Sequence, residues 1–108
     1  MNAEQIDGLI RGATVYHRLT DGSPHGAGEV AFYFEPDGRA VARFPSGKIQ
    51  TGAWQIEGDV YRLDWDGGLQ NSRSSLTKED GAIVVRNASD GVVRSRIIRI
   101  VPGNAEGL

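Results

Sequence analysis

The sequence contains no cysteine in its 108 residues. That excludes disulfides, thiolate metal sites and cysteine nucleophiles, and it leaves the redox compartment open. Lysine is scarce, with two residues against ten arginines. The 12 basic and 14 acidic residues leave a net charge of −2, so there is no broad electropositive footprint for nucleic acid or an anionic membrane surface. No apolar run approaches the roughly 18 residues that a membrane-spanning helix needs. Met1 to Asp7 offers neither a basic n-region nor an apolar h-region. No signal peptide is therefore expected, and a cytoplasmic location is the default. Catalytic fingerprints are missing too: there is no Gly-x-Ser-x-Gly, no phosphate-binding loop and no dinucleotide-binding glycine pattern.

Glycine, by contrast, is plentiful. Its 15 residues are about twice the usual share of roughly 7%, and they sit at turn-like spacings rather than in a linker. Between them run short alternating segments. Val15, His17 and Leu19 share one face of a strand over residues 13–19, opposite Thr14, Tyr16 and Arg18. Val30, Phe32 and Phe34 share a face of a strand over 29–35. Pro36-Asp37-Gly38 is a turn, since proline presets φ and glycine accepts positive φ. Further strands follow over 39–44, 49–56 and 60–65, the last with Tyr61, Leu63 and Trp65 on one side. Residues 69–76 are polar and weakly patterned, which reads as an edge strand or loop. Strands over 82–86 and 92–101 complete the set, and residues 102–108 read as a frayed tail. Ahead of all this, residues 2–11 predict a short helix. Asn2 and Gln5 form a capping box, Ile6, Leu9 and Ile10 make one apolar face, and Gly12 is the stop.

About eight strands joined mainly by short loops imply antiparallel neighbours. The expected fold class is therefore all-β: a single domain over 1–108, an up-and-down meander closing into a small lipocalin-like barrel with a short N-terminal helix. A sandwich and a bent open sheet are the alternatives.

Gly12-Ala13-Thr14, Phe32-Tyr33-Phe34-Glu35-Pro36-Asp37-Gly38 and Gly52-Ala53-Trp54-Gln55-Ile56-Glu57-Gly58 together resemble a family of small proteobacterial domains of unknown function. That resemblance covers about half of the chain and implies a small β-barrel-like fold without implying an activity. Members of that family often carry a signal peptide and a cysteine after the Gly-x-Trp hairpin; here no cysteine follows it, and no signal peptide is expected. Gly-x-Trp is also similar to the lipocalin signature, but there it opens the first strand, whereas here it follows three predicted strands. The likeness to lipocalins is one of shape.

His17 is the leading candidate for chemistry, as a general acid or base or as a ligand contact inside the barrel. A satisfied core histidine is the competing reading. Phe32, Phe34, Trp54, Tyr61 and Trp65 form an aromatic set that either lines an apolar cavity or simply fills the core. Arg94 and Arg96 share a phase of the last strand with Ile98 and Ile100. Turned inward, they would make a cationic mouth for a carboxylate; turned outward, they would pair with acidic neighbours. His17 and His25 with Asp21 match no metal-binding spacing, so no metal and no cofactor is expected. Asp64 and Asp66 flank a turn, where aspartate is common.

Three functions follow as expectations. The first is a binding protein for a small apolar or aromatic ligand, one that could carry a carboxylate. The second is an interaction module that forms a homodimer through residues 69–76 and the apolar Val84, Val92 and Val93. The third is a small isomerase, lyase or hydrolase using His17 with Tyr16, Tyr33 or Asp64. Nucleic acid and membrane are not expected as partners.

Overall fold

The computed structural model describes residues 1–20, 28–68 and 71–108. A helix, α1 (Ala3–Ile10), leads into eight strands: β1 (Ala13–Leu19), β2 (Gly28–Phe34), β3 (Arg39–Arg43), β4 (Ile49–Glu57), β5 (Val60–Trp65), β6 (Ser72–Glu79), β7 (Ala82–Asn87) and β8 (Val93–Pro102). Each strand pairs antiparallel with the next, and β8 returns to pair with β1. The result is a closed barrel in meander order. No helix among the described residues is long and apolar enough to cross a membrane.

The helix closes one end. Asn2 accepts from the Gln5 amide, and Gln5 returns a side-chain bond to the Asn2 amide, so two otherwise orphaned N–H groups are satisfied. Ile6 and Ile10 are then buried among Ala13, Phe34, Ala40, Trp54, Tyr61 and Leu76. Trp54 turns its indole N–H to the Glu35 carbonyl at 2.9 Å, which satisfies the one polar atom of a buried tryptophan.

Closure removes the expected edge. β6 bonds to β5 through Tyr61–Leu63 and to β7 along its length. Its polar residues mark no free edge because Ser74 faces the interior beside Tyr61, while Ser75 and Thr77 face out. Of the three valines offered as exposed, Val84 is buried, Val93 is half-buried and only Val92 lies open.

Alternation holds on seven strands and breaks on β8. Between Val85↔Ser95 and Arg86↔Val93 the chain inserts Arg94. Between Tyr16↔Arg99 and His17↔Ile97 it inserts Ile98. Each extra residue changes the phase of the strand. The inward set is therefore Ser95, Ile97 and Ile100, which neither simple phase of the sequence contains. Ile98 is left exposed.

The C-terminal residues are not frayed. Thr14 on the outer wall donates to the Gly103 carbonyl at 2.7 Å and accepts from the Ala105 amide at 2.9 Å. Tyr16 donates to Glu106, which also receives Arg43, and Arg99 stacks 4.1 Å over the Tyr16 ring. Thr14 and Tyr16 face outward yet are buried, because this segment covers them. The bond to Glu106 holds the Tyr16 phenol above its usual range and the Glu106 carboxyl below its own. A Thr14→Val substitution should cost about 1–2 kcal/mol in urea unfolding. It should also accelerate amide exchange at Ala105, while exchange at Val15 stays slow.

Candidate functional site

At the end opposite α1, the interior is aromatic. Phe32 sits in mid-strand between Val15 on β1 and Ala42 on β3. Its ring lies 5.8 Å from Phe34, 6.4 Å from Phe44 and 6.0 Å from Trp65, with Phe44 and Trp65 6.2 Å apart. Small residues make room for these rings. Ala40 and Ala42 are fully buried on β3, and Gly52 on β4 faces Trp65. Val30, Ala42 and Phe44 form a buried cluster on which Leu19, Phe32 and Trp65 pack while remaining partly accessible. In a closed wall, an inward ring at mid-strand meets solvent only from within the barrel. Phe32 is thus inward-facing yet only partly buried.

His17 joins this wall. Its ring packs steeply against that of Phe32, with ring centroids 4.7 Å apart, and its backbone lies between Val30 and Ile97. Nδ1 is hydrogen-bonded to Ser95 Oγ at 3.1 Å. Nε2, at the tip of the ring, is buried and finds no hydrogen-bond partner among the described residues. Burial pushes the imidazole down to about 3, so His17 is neutral across the ordinary pH range. A second buried polar pair lies in the helix-side core. Tyr61 is hydrogen-bonded to Ser74; burial raises its phenol, and the Ser74 bond and the charge of Arg94 offset part of that rise.

The structure therefore divides the residues picked out by the sequence. His17, Phe32 and Trp65 come together in the half of the barrel away from the helix. Phe34, Trp54 and Tyr61 belong to the core packed on the helix, where Phe34 contacts both Trp54 and Tyr61 edge-on. Arg96 lies on the outer wall between Arg18 and Val84, where its charge acts on Glu79. Arg94 is exposed at the bulge, close enough for its charge to act on Tyr61. The two arginines do not form one inward cationic pair.

Leu19, Phe44 and Ser95 were not singled out by the sequence as site residues. Phe44 continues the inward phase of Ala40 and Ala42, a signal that was legible. Ser95 is recognisable only once the bulge fixes its phase.

Tyr16, Tyr33 and Asp64 face away from His17, on the outer side of the wall. Asp64 is bound to Arg62 at 2.8 Å, and Asp66 accepts from Thr51 at 2.9 Å. Among the described residues no three histidine or carboxylate side chains gather round one point; His25 and Asp21 lie outside the described residues. No family model matches the chain, and neither a curated protein nor a solved structure matches it.

Proposed function

We propose that this protein is a small lipocalin-shaped carrier that holds one apolar or aromatic molecule in the end of the barrel away from the helix. The observation that carries this reading is Phe32, an inward-facing ring at mid-strand that keeps contact with solvent. Eight-stranded barrels enclose either packed side chains or one small ligand, and an aromatic wall that stays only partly buried favours the second. The overall extents of 31 × 29 × 25 Å restrict the cargo to a small molecule. Ile49 and Val92, 55% and 60% exposed, lie at the same end and supply apolar surface at its rim.

N-phenyl-1-naphthylamine, an apolar fluorophore that accepts energy from tryptophan, tests this. It should bind saturably and quench the tryptophan emission. Leu19→Arg places a charge at the mouth without touching the helix-end core, and it should weaken binding at least about tenfold. Non-saturable binding, or binding unaffected by Leu19→Arg, would count against the carrier reading.

A further inference from the structure

His17 narrows the chemistry of the cargo. Resting on the carrier reading, we infer that the bound molecule is an uncharged aromatic compound bearing a hydroxyl group, and that this hydroxyl hydrogen-bonds Nε2 of His17. Nε2 is a buried polar atom with no hydrogen-bond partner among the described residues, and such atoms in native proteins are usually satisfied by something. It lies at the tip of a ring whose other nitrogen is hydrogen-bonded to Ser95 and which packs against Phe32, so it is held in place rather than free to turn away. If Ser95 donates to Nδ1, Nε2 carries the proton and donates; if Nδ1 donates, Nε2 accepts. A hydroxyl satisfies either tautomer. The aromatic part follows from Phe32, Phe44 and Trp65, whose rings offer faces and edges for stacking.

A carboxylate fits this position poorly. Val30 and Ile97 flank His17 in the ladders, and among the described residues Arg96 is outside the wall and Arg94 is exposed at the bulge, neither beside His17. A carboxylate held by Arg94 would sit at the wet rim, where an ion pair contributes little, and Nε2 would stay unpaired. Burying the anion against a neutral imidazole would leave its charge uncompensated.

Calorimetric titration at pH 7 with naphthalene, 2-naphthol and 2-naphthoate separates the cases. The wild-type protein should bind 2-naphthol at least about fivefold more tightly than naphthalene, the ratio expected for one buried hydrogen bond. It should bind 2-naphthoate more weakly than 2-naphthol. In His17→Phe the preference for naphthol over naphthalene should vanish while naphthalene still binds. The wild-type comparison stands without any variant, so a His17→Phe protein that failed to fold would not remove the test. Equal affinities for naphthol and naphthalene, or tighter binding of naphthoate than of naphthol, would overturn the inference and leave the carrier reading intact. Failure of all three to bind would overturn both.

Discussion

Lowering the pH from 7 to 4 should destabilise the wild-type protein by roughly 3 kcal/mol more than it destabilises a His17→Gln variant. In the folded protein, burial holds the His17 imidazole down to about 3, against an ordinary value of 6.5. Below pH 6.5 the unfolded chain takes up a proton at this residue, and the folded chain does not until about pH 3. The unfolded state therefore binds more protons throughout that window, and linkage makes stability fall as the pH falls. The contribution is complete above about pH 6.5 and is lost progressively toward pH 3.

Asp7, Glu79 and Glu106 are all held below their usual range, chiefly by hydrogen bonds from Arg11, Thr77 and Tyr16 respectively. They lower acid stability in the same direction, but they do so in both proteins and drop out of the comparison. Urea unfolding of the two proteins at pH 7 and pH 4 provides the four free energies. Parallel pH dependence would mean that His17 is not a buried neutral residue.

Gly52→Ala should cost about 3 kcal/mol and lower the melting temperature by ~12 °C. A Cβ at residue 52 would stand 2.4 Å from the Asp64 carbonyl oxygen and 3.0 Å from the Trp65 Cα. Both are backbone atoms of the neighbouring strand, so no flexible side-chain tip can yield, and β4 must separate from β5. The displacement would fall on the Gly52↔Trp65 pair and hence on the wall of the proposed site, so probe binding should weaken along with stability. Gly8 is the control. It lies in α1 with nothing within 4 Å of an added Cβ, and Gly8→Ala should stabilise by up to about 1 kcal/mol through helix propensity. If Gly52→Ala were as benign as Gly8→Ala, the close approach of β4 and β5 would be refuted.

The barrel was legible because period-two patterning and glycine turns are local signals. β1 and β5 coincide with the strands read from residues 13–19 and 60–65, and the Asn2–Gln5 capping box is present. β6 was obscured because Ser72 and Ser74 occupy inward positions, and inward serines make a barrel strand look like an edge.

The face of β8 could not be read at all. Two single-residue insertions, at Arg94 and Ile98, depend on pairing with β7 and β1, and pairing is not a property of the strand itself. In a simple alternation Arg94 and Arg96 share one phase of the strand, and the insertions break that phase. The covering of Thr14 and Tyr16 by residues 103–108 was hidden for a related reason, since its contacts join positions about 90 residues apart. Within the site, inward placement of His17 and the aromatics followed from alternation. The division into a helix-side core and a second aromatic cluster needed the helix, whose docking at one end buries Phe34, Trp54 and Tyr61.

The most direct measurement of the central claim is a long-range ¹H–¹⁵N spectrum of the His17 imidazole at pH 6, recorded with and without saturating 2-naphthol. The account predicts a neutral ring in both spectra, with the Nε2 resonance moving on addition of the ligand and the Nδ1 resonance, tied to Ser95, nearly still. A protonated ring at pH 6, or an Nε2 resonance unmoved while naphthol is bound, would contradict it.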